Sequence, residues 1–255
     1  MTRTLLLLAA AALLAAWPAA AQQPDPDPRA KDAEPLPDYP KAHADSKVIE
    51  NPALKGLVLE LLPDRSKRVG FVAEVCLREG PLEVLLCKQG TKEHEAILRA
   101  DFDAREIHKL LLLAGAEPGT PTQFVNPKTN EIQFKAATGT AVKVLVSYRR
   151  GGKTHTHPVQ EWVWNAAKKR PLEVPAWVFA GSQLLKDPDR PDAPPFYAAN
   201  SGEVIALSNF AYSMLEVPVE ISKDDAQLNY EAKADRIPPL FSRVWVVLEP
   251  APAKK

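Results

Sequence analysis

Residues 141–164 constrain the fold more than any other stretch of this chain. Residues 141–148 read AVKVLVSY, an alternation of apolar and polar side chains with the period of a strand that buries one face. Arg150-Gly151-Gly152-Lys153 supplies turn chemistry, and the chain then runs on through residues 154–164. Two β-rich segments around a Gly-Gly turn predict an antiparallel hairpin. Further strands are expected at 56–61, 69–77, 82–87, 203–207 and 244–248, with Arg78-Glu79-Gly80-Pro81 joining 69–77 to 82–87 as a second hairpin.

One helix is signalled. Asp103 precedes Glu106 by three residues, a capping-box-like start, and Ile107, Leu110, Leu111 and Ala114 then fall at helical spacing before Gly115. A shorter helical turn is expected within 91–98. Few helices among many strands give the fold class α+β: a β-rich single domain with antiparallel hairpins and one or two helices.

The first 21 residues read as a signal peptide. Arg3 gives a positive start, residues 5–16 are an unbroken run of Leu and Ala, and Ala19-Ala20-Ala21 ends it with the small residues a peptidase needs. Twelve apolar residues span only ~18 Å, short of the ~30 Å hydrocarbon core, which favours cleavage over an anchor. No later stretch is long enough to cross a bilayer. Export to the periplasm or the exterior follows. Residues 22–47 hold six prolines, many charges and little to bury, so they are expected to form a disordered Pro-rich linker. The globular domain is assigned to 48–250, and 251–255 to a loose tail.

Charge and composition exclude several roles. Lys and Arg total 32, as do Asp and Glu, so there is no excess of positive charge for nucleic acid. Two cysteines, Cys76 and Cys87, do not make a disulfide framework. If 69–77 and 82–87 form a hairpin, the two lie about 13 Å apart, too far for a bridge. A disulfide between Cys76 and Cys87 is therefore possible but disfavoured, and two buried thiols are the simpler expectation.

The most polar knot is Thr91-Lys92-Glu93-His94-Glu95. Glu93, His94 and Glu95, with His108 fourteen residues further on, form the candidate polar site. A zinc-helix motif would need histidine at 98, where Leu98 stands. His94 and His108 remain the minor candidates for metal ligands. His155 and His157 share one strand face at the end of a hairpin, as expected of a solvated surface. Trp162 and Trp164 also share a face; exposed, they would stack on sugars, but core packing is the expected role. No nucleophile elbow or phosphate-cradling loop occurs.

Several runs resemble the YdjY-domain proteins, common among secreted proteins of planctomycete-type bacteria. They are Glu74-Val75-Cys76-Leu77-Arg78-Glu79-Gly80-Pro81-Leu82-Glu83, then Gly90-Thr91-Lys92-Glu93-His94-Glu95-Ala96-Ile97, then Trp177-Val178-Phe179-Ala180-Gly181-Ser182 and Asp235-Arg236-Ile237-Pro238-Pro239. The resemblance spans about residues 55–250 and implies an exported protein of uncharacterised function, with no catalytic residues to carry over. Two cysteines are too few for a four-iron cluster, so the ferredoxin-like label of some relatives does not transfer. The leading expectation is a non-catalytic module binding an unknown envelope or extracellular ligand, with no cofactor. The alternatives are a metal or thiol-redox protein using His94, His108, Cys76 and Cys87, and polysaccharide binding through Trp162 and Trp164.

Overall fold

The computed structural model describes residues 30–125, 132–220 and 230–252. The N-terminal run read as a signal peptide and the last three residues lie outside them. Strands β1 (Lys47–Glu50), β2 (Leu57–Leu61) and β3 (Lys67–Val75) form an antiparallel meander. Then come β4 (Val84–Lys88), β5 (Ala96–Ala100) and helix α1 (Ala104–Leu113). The small pair β6 (Gln123–Val125) and β7 (Ile132–Lys135) precedes β8 (Ala141–Arg150) and β9 (Lys153–Pro158). Next are β10 (Val163–Asn165), β11 (Arg170–Pro171), β12 (Trp177–Phe179), β13 (Leu184–Leu185) and β14 (Phe196–Tyr197). The last are β15 (Ile205–Ala206), β16 (Leu215–Glu216), β17 (Tyr230–Ala232) and β18 (Arg243–Pro250).

Eight of these strands close into a barrel in the order β3, β18, β8, β12, β16, β15, β4, β5. The ring closes where β5 returns to β3 through Glu74↔Arg99 and Val75↔Leu98. The fold is therefore a β-barrel, and the expected α+β class is wrong: α1 is the only α-helix among the described residues. The 91–98 turn is only a 3-10 helix at Glu93–Glu95 leading into β5. The expected hairpin between 69–77 and 82–87 does not form either. β4 instead pairs in parallel with β5 and antiparallel with β15, and β5 comes between β3 and β4. Strand β4 is buried on both faces, so its sequence is a continuous apolar run that carries no record of partner or direction. The hairpin of β8 and β9 does form, pairing Arg150 with Lys153 through Leu145 with Pro158.

Alternation sets the inside and outside of the wall. Val69, Phe71, Ala73 and Val75 of β3 point into one core with Val142, Val144 and Val146 of β8 and Val244, Val246 and Leu248 of β18. Ile107 and Leu111 of α1 join the same core. Each of the Val, Leu, Ile and Phe side chains among them stabilises the fold by about 1.5–3 kcal/mol when fully buried. The intervening Val72, Leu145, Trp245 and Val247 face outward and are covered by Leu36, Tyr39, Val48 and Val58.

That cover corrects the expected linker. The part of 22–47 within the described residues packs on the barrel instead of standing free of it. The Tyr39 ring meets Trp245 edge-on at 5.1 Å, and Trp245 Nε1 donates to Pro37 O at 2.9 Å. Tyr39 OH and Ala42 N both donate to the buried Glu60 carboxylate, at 3.1 and 2.8 Å, and Arg68 Nη1 stands 3.4 Å from it. Gly70 leaves the space for this ring: a Cβ there would sit 2.3 Å from Tyr39 Cε2. Few anchors among many prolines suffice, because proline has little chain entropy to lose. Tyr39→Ala should lower the stability by about 3 kcal/mol, since it leaves a cavity over Trp245 and removes a donor from Glu60. Urea unfolding measures this, and an unchanged midpoint would show that the segment is not docked.

Candidate functional site

A cleft of about 460 Å³ opens between α1 and the β13–β14 pair, lined by Arg105, Glu106, His108, Lys109, Gly181, Gln183, Leu184 and Tyr197. Its two walls are clamped together at the start of α1. The Asp103 side chain accepts from Arg105 N as an N-cap, and Asn200 Nδ2 donates to the same Oδ1 at 3.0 Å. Asn200 Oδ1 in turn accepts from Ala104 N at 2.9 Å. The helix's own orphan donors thus fix it to the turn that follows β14. These bonds and the Arg105 guanidinium, the largest influence, hold the Asp103 pKa well below the carboxylate range.

His108 forms the floor of the cleft. Phe179, from the end of β12, meets its ring edge-on at 4.7 Å. His108 Nδ1 lies 2.8 Å from Tyr197 OH, and Tyr197 OH donates to Gly181 O at 3.0 Å. A phenol carries one proton. Because Tyr197 gives that proton to Gly181, His108 must donate through Nδ1, and Nε2 is then a free acceptor in the neutral ring. Burial lowers the His108 pKa below the ordinary value and keeps the ring neutral near pH 7. Gly181 adopts φ +88°, and a Cβ there would meet Pro118 Cβ at 2.8 Å. Glycine is therefore what lets this backbone carbonyl reach Tyr197.

The rim differs from the floor. Arg105 and Lys109 reach Asp103 and Glu106 in pairs whose cations are more than half exposed. The Lys109–Glu106 pair is of the kind worth little in water, so the Lys109 ammonium can turn to an incoming anion, whereas Arg105 Nε and Nη2 hold both oxygens of Asp103. Leu184 leaves 62% of its surface exposed at the opening, an apolar lip.

The structure separates the four expected site residues. Only His108 is in the cleft. Glu93 accepts from Gly90 N at 2.7 Å and from Arg99 Nη1 at 2.8 Å, next to the β3–β5 closure. Glu95 turns to Lys92, whose Nζ lies 2.9 Å from it, 2.6 Å from Glu83 and 3.8 Å from Glu203. Burial lowers the Lys92 pKa, but the bonds to Glu83 and Glu95 outweigh it and the net shift is upward. This knot ties the 89–95 loop to Glu83, the residue before β4, and to Glu203. The His94 side chain is 78% exposed, with Nε2 3.8 Å from Glu95. His94 and His108 do not share a site, and no metal-holding group of three His, Cys, Asp or Glu occurs among the described residues.

The remaining candidates are placed as follows. Trp162 is fully buried, and Trp164 lies under Lys233 Nζ at 4.8 Å, so the two rings form no exposed row. His155 and His157 flank Tyr148, His155 stacked on its ring at 5.5 Å and His157 Nε2 3.3 Å from its hydroxyl. Cys76 and Cys87 are both free thiols. The hairpin behind the 13 Å separation does not form: Cys76 Sγ donates to Ala96 O at 3.1 Å and packs on the small apolar cluster that holds the buried Cys87. Tyr197, Leu184 and Gln183 were not found from sequence. They lie on or beside two-residue strands, too short to show a period.

Fold and site together define a closed β-barrel domain with a cation-rimmed, apolar-lipped cleft at its edge. The chain belongs to the YdjY-domain family, whose model, described as "YdjY domain", matches residues 63–249. That span takes in the whole closed barrel and leaves out β1, β2 and the docked N-terminal segment. Comparison with curated proteins and with solved structures finds no match.

The lowered His108 pKa has a pH consequence. Above ~6.5, the unfolded value, the ring is neutral in both states and its packing contributes in full. As pH falls from there towards the lower native value, only the unfolded chain takes up the proton, and stability is lost. NMR titration of the His108 ring should give a midpoint below ~6.5, and His108→Gln should lose less stability than wild type between about pH 7.5 and 5. A midpoint at or above ~6.5 would contradict the buried neutral ring.

Proposed function

We propose that this protein is an exported binding module that holds a small amphipathic molecule in the His108 cleft. The observation that carries the proposal is the fixed tautomer: Nδ1 is committed to Tyr197, so Nε2 offers one acceptor at the floor of an apolar-walled space. A ligand that fits has a hydroxyl or N–H for Nε2, an apolar body for Leu184, and an anionic end for Lys109. Ser182, on the same side, donates to Tyr212 O at 2.5 Å and accepts from Ala199 N at 2.9 Å. That pairing is structural, and it supports binding over covalent chemistry. Export is supported by the leader-like N-terminus. No helix among the described residues is long and apolar enough to cross a membrane.

The test uses 1-anilinonaphthalene-8-sulfonate, which has an aromatic body, one N–H and one anionic group. Its fluorescence should rise saturably at one site on the folded protein, and the His108 ring signals should move with it. Tyr197→Phe should weaken the binding by about tenfold, because the His108 ring loses its orienting partner. Leu184→Asp should abolish it while leaving the thermal unfolding unchanged. No saturable binding, or equal binding by both variants, would overturn the proposal.

A further inference from the structure

Strand β3 has different partners at its two ends. Its residues 67–71 pair with β2, and its last two, Glu74 and Val75, pair with β5. The sheet forks there: β5 belongs to the barrel, while β2 and β1 form a wing beside it. The core face of β3 continues onto the wing, since Leu57 and Leu59 stand opposite Phe71 and Val69, and Ile49 stands opposite Leu59. Helix α1 packs against this face. Ile107 and Leu111 turn into the core, and Lys67 Nζ at the start of β3 donates to Leu113 O at 2.6 Å.

A second cleft of about 310 Å³ lies between α1 and the wing. Ile49, Leu54, Leu57, Leu59, Leu110 and Leu113 supply its apolar wall. Leu113 is 58% exposed and Ile49 44%, so this wall meets water at its mouth. Glu50 also lines the cleft, but its carboxylate accepts from Gly56 N at 2.7 Å and is held at the 51–56 turn.

Glu106 and Lys109 line both this cleft and the His108 cleft. With 3.6 residues per turn, the two form the ridge of α1 between His108 on one flank and Leu110 on the other. The Lys109 ammonium, 2.6 Å from Glu106 and largely exposed, stands where the two clefts meet. An anion drawn to it would have the His108 acceptor on one side and an aliphatic wall on the other.

We propose that the second cleft holds an acyl chain, and that the ligand of the whole groove is an N-acylated apolar amino acid. The inference rests on the reading of the His108 cleft and names the class of its ligand. The amide N–H donates to His108 Nε2, the carboxylate takes Lys109 from Glu106, and the amino-acid side chain lies on Leu184. The acyl chain crosses the ridge and lies on Ile49, Leu59 and Leu113. Such a molecule carries an N–H, a carboxylate and two apolar arms on one short backbone, the set of groups that these residues accept. Each methylene that leaves water in the second cleft raises the affinity about fourfold.

The experiment titrates the folded protein with N-acyl-leucines from butanoyl to decanoyl, below their micelle concentrations, beside 1-anilinonaphthalene-8-sulfonate. Affinity should rise about fourfold per added methylene, and the methyl NMR signals of Ile49 and Leu113 should move with the decanoyl compound but not with the butanoyl one. The double variant Ile49→Thr/Leu113→Gln should flatten this dependence on chain length, with circular dichroism confirming its fold. N-methylation of the decanoyl amide should cost about tenfold, because His108 Nε2 loses its donor. Saturable binding of the sulfonate together with an affinity independent of acyl length would overturn this inference and leave the His108 reading standing. No binding of either probe would overturn both. Dimerisation of the free protein that shields Ile49 would show that a second copy covers the wing, and would overturn the inference as well.

Discussion

The return of β5 to β3 is the contact on which the rest of the structure depends. Only Glu74↔Arg99 and Val75↔Leu98 pair there, where β18 pairs with β3 over six residues. The short seam is reinforced by side chains: Arg99 Nε donates to Glu74 at 3.0 Å while Nη1 reaches Glu93 at 2.8 Å. Glu93 in turn accepts from Gly90 N, which holds the loop that delivers the chain to β5. Without this closure β3 and β5 would each expose an unpaired edge and open the apolar interior to water.

The candidate site inherits its geometry from that closure. Strand β5 ends at Ala100 and α1 begins at Ala104, so the direction of β5 sets where the helix starts. Asp103 and Asn200 then join the helix to the turn after β14, and this brings His108 over Phe179 and against Tyr197.

Much of the local structure was legible in the sequence, and the global closure was not. The alternation of residues 141–148 marked β8, and Asp103 marked the start of α1 with the correct cap. His108 was singled out as well. The β4 run gave no sign of its parallel partner, because a strand buried on both faces has no period to read. Glu93, His94 and Glu95 are neighbours in sequence, but a 3-10 turn sends their side chains to Arg99, solvent and Lys92. The N-terminal segment was misread because composition reports average burial, whereas Pro37 and Tyr39 dock through a few specific contacts.

Cross-strand NMR contacts at the seam give the most direct test of this account. Backbone protons of Glu74 and Val75 should show nuclear Overhauser effects to Leu98 and Arg99, and the Cys76 N–H should resist hydrogen exchange as strongly as amides of β8. Absent contacts, together with fast exchange along the edges of β3 and β5, would mean an open sheet and would contradict the closed barrel.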